Sequence, residues 1–275
     1  MHSRLIYSLS PQWAEIAARA EDLISGPAFE PVKDEAKTRA GFIALENGRG
    51  AFIKRFEEGW WARGLWTRVR GSRAQRSVRG AELLRAGDFR HPEPYAAIEA
   101  LSAGSVRASY LVSEPLCDAR ILSVFINLRR RASGPQAGWR RETLAAVARE
   151  IRRLHDAGLF SSDLQETNLM LEQARGGPKI YFVDLDGFRR MGRVGWQQRE
   201  RNLVQLDRSI GRFLRRSERL RFLYAYLGAR PGQCEARRTV TRLLERKRRE
   251  DRKREARRAR DAARRNAPAR VSGTR

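Results

Sequence analysis

Between Leu154 and Arg189 the chain reads LHDAGLFSSDLQETNLMLEQARGGPKIYFVDLDGFR, and few folds accommodate that order of residues. Upstream, Leu144, Val147, Ala148, Ile151, Leu154 and His155 recur at helical spacing, and Gly158 can end the helix they predict. A polar loop follows with Asp163 and, five positions later, Asn168. Leu169-Met170-Leu171 and Ile180-Tyr181-Phe182-Val183 then read as two short strands joined by the turn-rich segment 173–178. The second strand runs into Asp184-Leu185-Asp186. Helix, polar loop, hairpin and acidic pair make the layout of a phosphotransferase catalytic loop followed by a metal-binding turn. An Asp in the first position can accept a hydroxyl proton from the phosphate acceptor. An Asn further along the loop can turn its amide oxygen to magnesium, and an Asp after the hairpin completes a set of hard oxygen donors. Asp184 is the first choice for that ligand and Asp186 the second, because spacing alone leaves both open.

This stretch resembles the protein-kinase-like fold and, within it, the lipopolysaccharide kinase family that phosphorylates inner-core sugars (Kdo or heptose). AFIKRF at Ala51–Phe56, RSVRGAELLRAGDFRHPEP at Arg76–Pro94 and RNLVQLDRSIGRFL…RLRFLYAYL at Arg201–Leu227 resemble the same family, so the likeness spans roughly residues 40–228. The resemblance implies an α+β, bilobal fold with a small antiparallel β N-lobe and a mainly helical C-lobe. It also implies ATP and Mg2+ as cofactors, Asp163 as the catalytic base, and Asn168 and Asp184 as the metal ligands. Lys54 would position the nucleotide phosphates, paired with a carboxylate on the next helix, for which Glu82 is the best acid. Ser161 and Ser162 depart from the family of kinases at large, which carries His and then Arg or Gly before the Asp. Gln165 stands where protein kinases often place a lysine, which argues against a protein acceptor. Asp186 replaces the glycine of D-F-G, a variation the lipopolysaccharide kinases share.

In chain order, residues 1–35 are expected to form an N-terminal extension, with Ser10-Pro11 opening a helix whose apolar stripe is Trp13, Ile16, Ala17, Ala20, Leu23 and Ile24. The N-lobe is expected over 36–115. Gly41–Leu45 and Ala51–Phe56 flank the turn signal Glu46-Asn47-Gly48-Arg49-Gly50 and predict a hairpin. Phe52, Lys54 and Phe56 share one face of its second strand, where a lysine between two aromatics needs a charged partner. No glycine-rich phosphate loop is evident; Arg39-Ala40-Gly41 is the nearest candidate. A helix is expected over about 74–86. The strand Ser109–Val112 then leads to Ser113-Glu114-Pro115-Leu116, the position of a kinase hinge. The C-lobe is expected over 116–232, with Leu203, Leu206, Ile210 and Leu214, then Leu220, Leu223 and Leu227, facing its core. A polybasic tail, helical or disordered, fills 233–275. Its apolar face is thin after Leu244, so it is expected to bury little and to be expendable for folding.

With 57 Lys and Arg against 32 Asp and Glu, the net charge is +25, and a chain so basic will seek polyanions. Trp60, Trp61 and Trp66 interleave with Arg63, Arg68, Arg70, Arg73, Arg76 and Arg79, a mixture suited to a membrane headgroup zone, to single-stranded nucleic acid, or to a loop folded back on the lobe. Two cysteines and three histidines exclude a disulfide framework and a histidine-built metal centre. No apolar run approaches a membrane span, and the N-terminal apolar stretch is too short for a signal peptide. Together with the resemblance, these features imply a cytoplasmic monomer, peripheral at the inner face of the inner membrane. It would act as an ATP-dependent kinase on lipopolysaccharide core or another anionic glycolipid. A kinase of a soluble small molecule or protein, and a non-catalytic pseudokinase that binds polyanions, are the rival readings.

Overall fold

The computed structural model describes residues 2–45, 50–58, 70–128, 136–230 and 233–266. The turn at 46–49, the tryptophans at 60, 61 and 66, and the last nine residues therefore lie outside the described part.

Six antiparallel strands build one sheet in the order β1 (His2–Ser8), β5 (Pro94–Ser102), β6 (Ser105–Ser113), β4 (Gly50–Glu57), β3 (Thr38–Ala44), β2 (Phe29–Glu35). Residues 2–35 are thus not an extension. They supply both edge strands of the sheet, and β2 pairs with β3 from Phe29 opposite Ile43 to Glu35 opposite Thr38. Helical periodicity caught the segment between them but not the flanking strands, because polar edge strands lack a buried alternation. Ser10 caps α1 (Pro11–Ala18), its hydroxyl accepting from the Trp13 N–H. The apolar stripe carries on through α2 (Ala20–Ser25), and Trp13, Ala17, Ala20 and Ile24 cover one sheet face over Ile43, Ala51, Ile53, Ile98 and Val112. The other face carries Phe56, Ala97 and Leu111 against Ala74 and Val78 of α3 (Arg73–Ala86).

Past β6 the chain becomes mainly helical, with β7 (Arg120–Ile121), α4 (Leu122–Leu128) and the 21-residue α5 (Gln136–Asp156). Leu144, Val147, Ala148, Ile151, Leu154 and His155 are all buried, as their spacing requires. Short strands β8 (Leu159–Ser161), β9 (Leu169–Ala174), β10 (Gly177–Phe182) and β11 (Phe188–Arg190) follow, with β9 paired to β10 and β8 to β11. Helices α6 (Trp196–Ile210), α7 (Arg216–Leu227) and α8 (Cys234–Asn266) complete the lobe. This is the expected bilobal α+β, protein-kinase-like fold. In α7 Phe222 and Tyr226 are buried in the core and Leu223 and Leu227 pack against it half-buried, whereas Leu220 is 40% exposed, so the leucine spacing holds for two of its three positions.

The tail is a helix that docks. Leu243 is 4% exposed and belongs to the same core as α5 and α6. Arg246 reaches Glu200 at 2.8 Å, Lys247 reaches Asp207 at 2.5 Å, and Arg208 of α6 holds Glu250 and Asp251 at 2.8 and 2.7 Å. Its acidic residues thus take arginines from α6 rather than only from their own helix, and its first half belongs to the lobe. The described residues past Asp251 are exposed. Leu243→Ala should lower unfolding stability by about 2 kcal/mol or more, the usual cost of a buried leucine truncation. Ending the chain after Asp251 should leave the thermal midpoint unchanged. Equal midpoints for wild type and Leu243→Ala would show that α8 is expendable for folding.

Candidate active site

Lys54 lies at the centre of β4, between Ala40 of β3 and Leu111 of β6, so ladders on both sides fix its backbone. Alternation puts it on the face shared with Phe56, and its ammonium sits 5.0 Å from the centre of that ring. There it donates to Asp184 Oδ1 at 2.6 Å. Asp184 arrives at this point because β10 pairs with β9 to its end, after which the Val183 N–H donates to the Asn168 carbonyl at 3.0 Å. The chain then turns sharply, with Asp184 in the left-handed region at φ 59° and ψ 61°. That conformation costs an L-residue on the order of 1 kcal/mol, so the surroundings must impose it. They do so through the Ser162 N–H, which donates to the Gly187 carbonyl at 3.0 Å, and through Phe188 paired with Ser161. Burial alone would push the Asp184 carboxyl up. Lys54 outweighs burial, with Arg73 and Lys33 helping at longer range, and the carboxyl is held below its ordinary value.

Asp163 is held just as closely. Its Oδ1 accepts from the amides of Gln165 and, at 2.6 Å, Gln205. Asn168 turns its amide nitrogen to the Asp163 carbonyl at 2.9 Å and to Oδ2 at 3.4 Å. That orientation leaves the Asn168 amide oxygen directed elsewhere, and no hydrogen bond among the described residues uses it. Asn168 and Asp184 therefore offer hard oxygen donors from adjacent points of the β9–β10 hairpin, as magnesium requires. Donors of this kind fit a magnesium ion.

A buried chain of polar groups supports the loop from below. The Tyr226 hydroxyl meets His155 Nδ1 at 2.7 Å, and His155 Nε2 meets Asn202 Oδ1 at 3.0 Å. The Asn202 amide nitrogen donates to the Ser161 carbonyl at 2.7 Å. An amide oxygen only accepts, so Nε2 carries the proton and Nδ1 accepts from tyrosine. Burial drives the His155 pKa from 6.5 down to about 4 and the Tyr226 pKa up to about 12. The histidine absent from the position before Asp163 is thus replaced by one six residues earlier, acting through Asn202. Gln205 and Asn202 escaped the sequence reading. Asn202 is 0% exposed and Gln205 half-buried beside Leu203 and Leu206, and burial is visible only after folding.

Glu82 is not brought to Lys54. It is exposed, and its charge is felt by Tyr7 and Arg85. The α3 position that faces the metal turn is Gly80, where a Cβ would lie 2.1 Å from the Leu185 carbonyl oxygen. Two residues further on, a side chain has swung about 200° round the helix. The charged contacts that α3 makes with the turn have the opposite sign: Arg73 Nε donates to Asp186 Oδ2 at 2.8 Å and Arg76 approaches it at 3.4 Å. Asp184 and Asp186, inseparable by spacing, thus have different partners.

A cavity of about 600 Å³ is walled by Val32, Phe42 and Ala44 from the sheet, Pro115 and Leu116 after β6, and Met170, two residues past Asn168; Lys54, Asp163, Asn168 and Asp184 do not line it. A second, of about 800 Å³, lies among α6, α7 and α8, lined by Leu203, Leu206, Phe222 and Leu243 and edged by Arg216 and Lys247; no candidate catalytic residue lines it.

Known proteins resemble this chain in sequence and fold. The model of the lipopolysaccharide kinase (Kdo/WaaP) family matches residues 32–226. A 3-deoxy-D-manno-octulosonic acid kinase of Actinobacillus succinogenes is 30% identical over 130 residues, 47% of this chain and 48% of the relative. The match thus spans about half the length of that curated relative. The solved structure of WaaP in complex with acyl carrier protein superposes with a TM-score of 0.63 at 22% identity, over 91% of this chain and 98% of the other.

A histidine kept neutral by burial makes stability depend on pH. Its pKa is about 4 folded against 6.5 unfolded, so between those values the unfolded chain binds more protons. The stabilisation is complete above pH 6.5 and is lost as pH falls toward 4. At pH 5.0 the loss should be about 2 kcal/mol relative to pH 7.5. Urea unfolding of wild type and His155→Gln at both pH values should show a smaller fall in the variant by that amount. Equal falls would mean that His155 is not the group that titrates.

Proposed function

Because the chain belongs to the lipopolysaccharide kinase (Kdo/WaaP) family, we propose that it transfers the γ-phosphate of ATP to a sugar hydroxyl of lipopolysaccharide inner core or a related glycolipid. The observation that carries this reading is the convergence of Lys54 from β4, Asp163 and Asn168 from the loop between β8 and β9, and Asp184 from the turn after β10. Asp163, oriented by Gln165 and Gln205, aligns the acceptor hydroxyl and takes its proton as the oxygen attacks the γ-phosphorus and ADP leaves. Asn168 and Asp184 would hold magnesium, which would neutralise phosphate charge. Lys54 would release Asp184 and turn its ammonium to the α/β-phosphates. The nucleotide base occupies the cavity between Phe42, Leu116 and Met170, with the backbone after β6 at its edge. Catalysis is then mostly positioning and charge neutralisation.

Among the described residues no helix is long and apolar enough to cross a membrane. The exposed basic end of α8 suits electrostatic attachment to an anionic leaflet, at the inner face of the inner membrane. The apolar cavity among α6, α7 and α8, with cations at its edge, suits an acyl chain on an anionic partner.

Purified wild type and Asp163→Ala, assayed for ATP consumption with deacylated and intact lipopolysaccharide core, test the reaction. Acceptor-stimulated turnover should fall roughly 100-fold or more in the variant, the usual loss of a general base. Turnover on a soluble acceptor alone would favour the small-molecule kinase, and no turnover with no thermal shift from magnesium-ATP would leave a polyanion-binding pseudokinase. Sedimentation with phosphatidylglycerol-containing vesicles should be salt-sensitive and weaken when the chain ends after Asp251. Equal sedimentation of both proteins would remove the anchoring role.

A further inference from the structure

We propose that Arg73 is a positioning residue for the metal site: by holding Asp186 it locks the left-handed turn that presents Asp184. The proposal rests on the kinase reading above and deepens it.

Four observations support it. First, α3 offers the turn no carboxylate and has no room for one, since any side chain at Gly80 would strike the Leu185 carbonyl. Second, the helix nevertheless grips the turn, through Arg73 to Asp186 at 2.8 Å, with both side chains largely buried (28% and 14% exposed). Third, Arg73 is itself immobilised. Its N–H donates to the buried Glu58 carboxylate at 2.6 Å, its Nη1 reaches Thr38 Oγ1 at 3.3 Å, and its guanidinium lies 4.5 Å from the centre of the Phe56 ring. Glu58 is fixed in turn by the Ser109 hydroxyl at 2.7 Å. Fourth, Asp184 sits in a conformation that an L-residue adopts only under constraint.

Phe56 spaces two cations, Lys54 and Arg73, each aimed at one of two carboxylates two residues apart. The two pairs have different duties. Lys54 must leave Asp184 when phosphates and metal arrive, whereas Arg73 can stay on Asp186 throughout. With the Arg73 pair in place, the backbone between Leu185 and Gly187 keeps its shape while Asp184 changes partner. Residues that orient a metal ligand without touching the metal alter metal affinity by roughly 10-fold to 100-fold when removed.

The experiment titrates binding of a fluorescent ATP analogue to the apo protein, first in EDTA and then with rising Mg2+. Wild type is compared with Arg73→Gln, Arg73→Lys, Asp186→Asn and the Arg73→Gln/Asp186→Asn double variant. Binding in EDTA should be alike in all. The Mg2+ concentration needed for half of the metal-dependent gain should rise roughly 10-fold to 100-fold in Arg73→Gln and in Asp186→Asn, with no further rise in the double variant over Asp186→Asn, because all three lose the Arg73–Asp186 contact. Arg73→Lys should recover part of the loss and guards against a folding defect in the other variants. A wild-type Mg2+ curve for Arg73→Gln would overturn the proposal. So would Asp186→Asn losing Mg2+ response while Arg73→Gln tightens it, since Asp186 would then be a ligand and Arg73 its competitor. A wild type that binds nucleotide under neither condition would overturn the kinase reading and this proposal together. Normal wild-type binding with unaltered variants removes this proposal alone.

Discussion

Lys54 and Asp184 stand 130 positions apart and meet at 2.6 Å, and most of the architecture serves to bring them there. A lysine half-buried beside an aromatic ring is poorly solvated unless an anion faces it. A carboxylate in a sharp buried turn is equally dependent on a cation. Neither partner is held by its neighbours in sequence. The six-stranded sheet fixes the lysine from both sides, and the β9–β10 hairpin with the β8–β11 pair fixes the aspartate. The lobes are tied again where the Phe182 N–H donates to the Arg90 carbonyl at 2.9 Å, next to the point where the hairpin ends.

The arrangement also departs from the usual division of charge between helix and turn. A kinase helix ordinarily offers its lysine a glutamate; here the helix presents glycine at the closest approach and two arginines to Asp186. Close packing at Gly80 explains why. Bringing the helix axis within reach of the Leu185 carbonyl leaves no volume for a side chain, so the ionic link had to move one to two turns toward the helix start. Below the catalytic loop the same economy of space applies. His155, Asn202 and Tyr226 are all buried, and each finds its partner within the chain of three before the last amide reaches the Ser161 carbonyl.

The 57 Lys and Arg find more than one use in this structure. Some are internal: Arg208, Arg246 and Lys247 staple α8 to α6 through Glu200, Asp207, Glu250 and Asp251. Others crowd the end of the chain, where residues 252–275 carry ten Lys and Arg against two acids. A composition count cannot separate these populations, because a lysine in an ion pair and one in solvent are the same letter.

Local order was legible in the sequence wherever the signal is local. The 3.6-residue stripe of α5, the Ser10-Pro11 cap, the hairpin around the catalytic loop and the spacing from Asp163 to Asn168 each depend on residues close in sequence. Contacts between distant segments were not legible. The partner of Lys54, the strands flanking α1 and α2, the docking of Leu243 and the exposure of Glu82 all depend on which faces meet, and helix phase decides that only once the helix has been placed. The sequence by itself therefore determined most of the elements, the family and the candidate residues Lys54, Asp163, Asn168 and Asp184. Only the tertiary structure decided which carboxylate faces which cation, because a charge pair is set by distance in space, and segments 130 residues apart acquire a distance only when the lobes pack.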